Sequence, residues 1–66
     1  MGNLRKARIE KKLSQKELAD ELGVTTATIS RYESGERKLP VETAKRIAEL
    51  LDVNWYSLFD EGNQGI

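Results

Sequence analysis

Apolar residues recur at helical spacing in the segment that follows Ser14. Three of them fall on one face of a helix: Leu18, Ala19 and Leu22. Glu17 follows Ser14 by three positions, which is the signature of a capping box at the start of a helix. Gly23 readily takes the left-handed conformation that ends a helix. The pattern therefore predicts a short helix from Gln15 to Leu22.

A second helix of similar length follows this glycine. Thr25 is positioned to cap it, and the pair Ser34-Gly35 is positioned to end it. Ile29 and Tyr32 lie three residues apart and form its inward face, and Val24 is expected to be buried at its entry. Helices this short are marginal alone, so they must be held by packing.

The spacing of small and apolar residues relates the two helices to each other. Ala19 allows a close crossing, Gly23 makes a sharp turn and Ile29 fills the angle between the helices. Together with Gln15, these residues occupy four separated positions of the helix-turn-helix pattern. The segment from Gln15 to Ser34 is therefore predicted to be a helix-turn-helix unit.

The remaining apolar positions predict further helices and no strand. They indicate helices over residues 3–11, residues 41–51 and residues 55–59, the last one capped by Asn54, with Leu39 anchoring the loop after the second helix of the unit. The fold class is therefore all-α, with five short helices and the helix-turn-helix at helices two and three. Residues 1–61 are expected to form one domain, and residues 62–66 a disordered C-terminal tail.

The composition excludes several classes of protein. At 66 residues the chain has room for one small domain. It contains no cysteine and no histidine, so no disulfide, metal site, cofactor or histidine-based catalysis is expected. No apolar run approaches the roughly 20 residues that span a bilayer, and the amino terminus lacks a signal-peptide core. We expect a cytoplasmic protein with no membrane partner and no small-molecule substrate.

A series of ordered motifs runs through residues 3–61. They are Leu4-Arg5-Lys6-Ala7-Arg8, Leu13-Ser14-Gln15-x-Glu17-Leu18-Ala19, Leu22-Gly23-Val24-Thr25, Ile29-Ser30-x-Tyr32-Glu33-x-Gly35, Pro40, Ile47-Ala48 and Leu51-x-Val53. Together they resemble the lambda-repressor-like domains of the Cro/repressor type, also called the XRE family. The resemblance implies an all-helical domain that binds double-stranded operator DNA as a homodimer, in a transcriptional regulator whose expected mode is repression.

The resemblance places one set of third-helix residues in the major groove. The expected base-contacting residues are Thr26, Ala27, Ser30 and Arg31. The Arg31 guanidinium has two donors that match guanine O6 and N7, while Ala27 and the Thr26 methyl group suit a thymine methyl. The alternative for Arg31 is a solvated side chain or a phosphate contact.

A second set is expected at the DNA backbone: Gln15, Thr25, Thr28, Arg37 and Lys38. By resemblance, Gln15 lies where the amides at the start of the second helix point at a phosphate, and its side chain bridges to the third helix. The threonine hydroxyls and the two basic side chains would add phosphate contacts. The alternative for Arg37 and Lys38 is a solvated loop.

Two further groups are expected to have structural roles. Arg8 and Glu33 fall on otherwise inward-facing positions, and the resemblance implies an ion pair between the first and third helices. The candidate homodimer contacts lie at the aromatic end of the chain: Trp55, Tyr56, Leu58 and Phe59. The alternative for these four is that they complete the core of the monomer.

Three positions depart from the usual pattern of the family. Lys12 stands where glycine or asparagine commonly ends the first helix, so either the turn is strained or the helix end differs. Val41 replaces a serine that often caps the fourth helix, and Ala7 replaces a larger apolar residue. These departures affect the expected stability rather than the expected function.

The net charge of the chain is zero, with 11 basic and 11 acidic residues. DNA-binding domains usually gain non-specific affinity from positive charge. The neutral total therefore supports an alternative from another class, a protein-interaction helical module such as an antitoxin-like regulatory partner. An enzyme is not expected, because Glu17, Asp20 and Glu21 lie along an exposed helix rather than in a cleft.

Overall fold

The computed structural model describes residues 2–59. The elements are, in chain order, α1 (Gly2–Glu10), α2 (Gln15–Leu22), α3 (Thr26–Ser34), α4 (Val41–Leu51) and a 3-10 helix (Trp55–Leu58). No strand occurs in this range, so the all-helical prediction is confirmed. The first helix begins and ends one residue before its predicted bounds, and the fifth helix is 3-10 rather than α. The predicted domain boundary at residue 61 and the tail of residues 62–66 lie outside the described residues.

Local signals explain where α2 begins and ends. The Glu17 amide donates to Ser14 Oγ at 3.0 Å, and the Ser14 amide donates to Glu17 Oε1 at 2.8 Å, which completes the capping box. At the other end Gly23 has a φ of 75°, the left-handed conformation that ends a helix. The predicted bounds of α2 are therefore the observed ones.

Val24 differs from its expected position, because its side chain is 36% exposed rather than buried. Its amide donates to the Ala19 carbonyl at 3.0 Å. The turn therefore uses the backbone of Val24 to close α2 and leaves the side chain at the surface. The prediction of a buried residue here was wrong.

Each of the four α-helices is followed, within two residues, by a residue with a positive φ. Two of these residues are glycines, Gly23 with φ of 75° and Gly35 with φ of 83°. The other two are Lys12, with φ of 61°, and Asp52, with φ of 58°. A residue with a side chain pays roughly 1–2 kcal/mol for this conformation. Lys12 therefore produces a strained turn, and its amide still closes α1 by donating to the Ile9 carbonyl at 2.8 Å.

The starts of the last two helices lack side-chain caps. Pro40 occupies the cap position of α4, where its carbonyl accepts from the Ala44 amide at 2.8 Å, and Val41 is the first helical residue. Asn54 precedes the 3-10 helix, but its side chain makes no capping hydrogen bond, contrary to the prediction. Its carbonyl instead accepts from Ser57 Oγ at 2.6 Å.

The core combines apolar residues from every element with one residue of the loop before α4, which is Leu39 as expected. Its buried members are Leu4, Leu18, Ala19, Leu22, Ile29, Tyr32, Leu39, Ala44, Ile47, Ala48, Leu51 and Leu58. In this packing α2 lies against α3, α4 lies against the 3-10 helix, and α1 contacts both α3 and the 3-10 helix. Within residues 2–59, no helix has both the length and the apolar character needed to cross a membrane.

Candidate nucleic-acid interface

The outward face of α3 is open to solvent along its first two turns. The four side chains predicted to contact bases are all exposed on it: Thr26, Ala27, Ser30 and Arg31. The inward face is buried and consists of Ile29, Tyr32 and Glu33. Within residues 2–59 the Arg31 side chain forms no hydrogen bond or ion pair, so its guanidinium donors are available to a ligand.

Two threonines organise the start of α3. The Thr28 amide donates to Thr25 Oγ1 at 3.2 Å, and the two hydroxyl oxygens lie 2.9 Å apart. Thr25 is exposed and Thr28 is half-buried. Because a hydroxyl has one donor and two acceptor sites, this pair fixes both side chains and keeps hydrogen-bonding capacity for a further partner.

The loop after α3 folds back on the end of the helix. Ser34 Oγ donates to the Arg31 carbonyl at 3.2 Å and accepts from the Glu36 amide at 3.2 Å. The Arg37 amide also donates to the Arg31 carbonyl, at 3.2 Å. Arg37 and Lys38 are both exposed, so two basic side chains lie just beyond the exposed face of α3.

A buried hydrogen-bond network joins α3 to α1 and α2. Arg8 Nε donates to Glu33 Oε2 at 2.6 Å, and Arg8 Nη2 donates to Glu33 Oε1 at 3.2 Å. Gln15 Nε2 donates to the same Oε1 at 3.0 Å, and Arg8 Nη1 donates to the Leu13 carbonyl at 2.8 Å. The Arg8 and Glu33 side chains are 10% and 6% exposed. This Glu33 network, formed by Arg8, Leu13, Gln15 and Glu33, fixes α3 from behind and leaves its outward face free.

Some positions that shape this surface were missed in the sequence. Ser34 lies on the outward face of α3, four residues after Ser30, and helical spacing was sufficient to find it. Arg46 Nη2 donates to the Leu22 carbonyl at 3.4 Å, so a side chain of α4 helps to close α2. No local signal predicts that contact, because the two residues are 24 positions apart.

Residues 4–58 match the sequence profile of a family described as helix-turn-helix. The chain belongs to this helix-turn-helix family. An uncharacterized HTH-type transcriptional regulator of Bacillus subtilis (strain 168), YqaE, is 40% identical over 65 residues, which make up 97% of this chain and 56% of that protein. The chain therefore spans just over half the length of this relative. No solved structure gives a significant match.

Membership of the helix-turn-helix family confirms the resemblance to Cro/repressor-type domains. The broad class of function that goes with this family is DNA binding. The helix-turn-helix itself is formed by α2, the turn at Gly23 and α3. The exposed face of α3 is therefore the candidate DNA-binding surface.

Most of the aromatic end packs against the core of its own domain. Leu58 is fully buried, so it has no surface to offer a second copy and is removed from the predicted dimer contacts. Trp55 and Phe59 are half-buried and meet edge to face, with ring centroids 6.1 Å apart. Tyr56 is 61% exposed, and its ring meets Trp55 edge to face, with ring centroids 5.6 Å apart.

Proposed function

We propose that the chain is a sequence-specific repressor domain that inserts α3 into the major groove of its operator. The observation that carries this proposal is the open face of α3, where the Arg31 side chain has no partner within residues 2–59, on a helix that the Glu33 network holds from behind. A reading helix that is already held in place loses little conformational entropy on binding, which favours specific contacts. No catalytic step is part of this function, and we expect the domain to act in the cytoplasm.

Base readout is assigned to the outward side chains of α3. Arg31 donates two hydrogen bonds to O6 and N7 of a guanine, so each half-site contains at least one G·C pair. Ala27 and the Thr26 methyl group lie against thymine methyl groups, and the Ser30 hydroxyl bonds either to a base edge or to a bridging water. These are the residues whose replacement changes which sequence is preferred.

Backbone contacts are assigned to residues that flank the reading face. The Gln15 amide group has two N–H donors, of which Glu33 takes one, so the other remains for a phosphate. Thr25 and Thr28 contribute hydroxyls, and Arg37 and Lys38 contribute charge beyond the end of α3. Because the net charge of the chain is zero, bulk attraction to DNA is weak and these placed contacts carry most of the affinity.

A homodimer on a symmetric operator completes the proposal. Two copies of a small neutral domain double the number of contacts, and a two-fold axis matches two inverted half-sites. Tyr56 is the exposed member of the aromatic end, with Trp55 and Phe59 beside it. These three residues are therefore the proposed contacts between copies.

The decisive experiment selects binding sites from a random pool of duplex DNA and then compares variants on the recovered site. Arg31→Ala should reduce affinity for the selected site by about 5- to 150-fold, which corresponds to the 1–3 kcal/mol of a good bidentate base contact. On variants of the site that lack the guanine, the same substitution should cost little. Arg31→Lys keeps the charge and serves as the matched control for a mere phosphate contact.

Three results would contradict the proposal. Equal losses for Arg31→Ala on every site variant would mean that Arg31 does not read a base. A recovered site without two-fold symmetry would argue against the dimer. No salt-dependent binding to any duplex would favour the alternative of a protein-interaction module, for which the neutral charge is the supporting observation.

A further inference from the structure

Arg37 and Lys38 carry the same charge in the same loop, but the structure treats them differently. The Arg37 amide donates to the Arg31 carbonyl at 3.2 Å, and the Arg37 guanidinium carbon lies 5.9 Å from the centroid of the Tyr32 ring. The Lys38 side chain makes no hydrogen bond, ion pair or ring contact with residues 2–59. Arg37 is therefore held both through its backbone amide and through its guanidinium, whereas no contact with residues 2–59 fixes the Lys38 side chain.

The Tyr32 ring is itself a fixed surface. It belongs to the inward face of α3 and is 6% exposed, so the core determines its orientation. It also follows directly after Arg31, the proposed base-reading residue. A side chain that rests on this ring is consequently fixed relative to the reading face of α3.

The chemistry of arginine suits this arrangement. A guanidinium over an aromatic ring is attracted to it as a planar, delocalised cation, and the N–H donors along the edge that points away from the ring stay free. A phosphate binds to such an edge through two parallel hydrogen bonds. A lysine ammonium is a compact, strongly hydrated charge, so it cannot keep the ring contact and present two parallel N–H donors to a phosphate at once.

We propose that Tyr32 is a positioning residue that holds the Arg37 guanidinium at the end of α3 for a DNA phosphate. Lys38, in contrast, supplies charge without a fixed geometry. The proposal rests on the proposed function, since it names how one backbone contact of that interface is prepared before DNA arrives. It predicts that Arg37 and Lys38 are not equivalent although both are exposed cations.

The first test exchanges the two basic residue types at constant charge. Arg37→Lys should weaken binding to the selected operator and to a fixed mixed-sequence duplex by about two- to fivefold per domain, the range expected for an exposed cation–π contact. The slope of affinity against salt should stay the same, because the charge is retained. Lys38→Arg is the matched control and should change neither quantity.

The second test asks whether Tyr32 is responsible. In a Tyr32→Phe background, which keeps the ring, Arg37→Lys should still cost about two- to fivefold. In a Tyr32→Leu background, which removes the ring, the same substitution should cost less, because only the difference between arginine and lysine at the phosphate remains. NMR provides a readout that needs no DNA: the Arg37 δ protons should be shifted upfield by the ring, and Tyr32→Leu should abolish that shift.

Each outcome decides the proposal. It is overturned if the ring shift is absent, if Arg37→Lys binds like the parent, or if Arg37→Lys costs the same with leucine as with tyrosine at position 32. Should Tyr32→Leu fail to fold, the comparison of Arg37→Lys with Lys38→Arg still tests the inference. If the parent protein binds no duplex, the proposed function fails and this proposal fails with it. If the parent protein binds DNA and Arg37→Lys does not change the affinity, only the positioning role is overturned.

Discussion

Replacing Glu33 by glutamine tests whether the buried network holds the domain together. In the parent, Glu33 Oε2 accepts from Arg8 Nε at 2.6 Å, while Oε1 accepts from Arg8 Nη2 at 3.2 Å and from Gln15 Nε2 at 3.0 Å. A glutamine has one oxygen and one NH₂ group. Whichever way it is turned, the NH₂ group faces at least one N–H donor, and Arg8 loses its counter-charge.

The expected cost follows from the burial of the pair. The side chains of Arg8 and Glu33 are 10% and 6% exposed, so removing one partner leaves a largely desolvated charge. Such substitutions cost about 3–5 kcal/mol. A domain of this size has a total stability of about 3–10 kcal/mol, at 0.05–0.15 kcal/mol per residue. Glu33→Gln should therefore lower the melting temperature by at least about 12 °C or unfold the domain.

A matched control exists on the same chain. Lys16 Nζ and Asp20 Oδ2 form an ion pair at 3.1 Å, but their side chains are 76% and 66% exposed. Asp20→Asn removes one carboxylate in the same way, and should cost only about 0.3–0.5 kcal/mol because solvent screens the pair. Thermal unfolding followed by circular dichroism, at equal protein concentration, compares the two variants directly.

A stabilising role for the Glu33 network is excluded if Glu33→Gln melts within a few degrees of Asp20→Asn. That result would mean that water or a rearranged Arg8 replaces the carboxylate at little cost. A double-mutant cycle with Arg8→Met adds a second check, because residues in one network should couple by about 0.5–3 kcal/mol. Purely additive losses would show that Arg8 and Glu33 do not stabilise the domain as a pair.

Other predictions concern the strained turn, the charge at the interface and the dimer. Lys12→Gly should raise the stability by roughly 1 kcal/mol, because glycine accepts the left-handed conformation, whereas Lys11→Gly should lower it; melting shifts of the same sign in both variants would contradict the strain. Lys38→Ala should weaken binding to all duplexes alike and reduce the salt slope by about one, as measured by fluorescence anisotropy, and an unchanged slope would remove Lys38 from the interface. Tyr56→Ser should lower the dimer fraction in sedimentation, with and without operator, while leaving the melting of the monomer nearly unchanged because the ring is 61% exposed; an unchanged dimer fraction would exclude Tyr56 as a contact.

The ends of the helices show how far sequence reasoning reaches. Gly23 and Gly35 indicate turns in the sequence, because glycine takes a positive φ at little cost, and both turns were predicted. Lys12 and Asp52 also have a positive φ, of 61° and 58°, although neither is a glycine. Propensity disfavours the left-handed region there, so the turn at Lys12 was indicated only by the family resemblance and the end of α4 only by its apolar spacing.

In the candidate site, too, local sequence patterns predict some features and not others. Helical spacing separates the outward residues of α3 from Ile29 and Tyr32, so the exposed face was predictable from the sequence. The contact of Gln15 with α3 joins residues 18 positions apart and was expected only from the family resemblance, while the position of the Arg37 guanidinium over the Tyr32 ring depends on how a loop folds back. Val24 shows the opposite error, since an apolar residue in a short turn was assumed to be buried.

If α3 reads an operator as proposed, the Glu33 network limits how the domain can meet an imperfect one. Glu33 lies two residues after Arg31 on α3, and its carboxylate is bound to donors from both α1 and α2. A slide or rotation of α3 toward a displaced base would have to break those buried bonds. In the proposed complex, the duplex therefore has to deform more easily than the position of α3. We expect base pairs that no side chain touches to influence affinity through the ease with which they bend and twist.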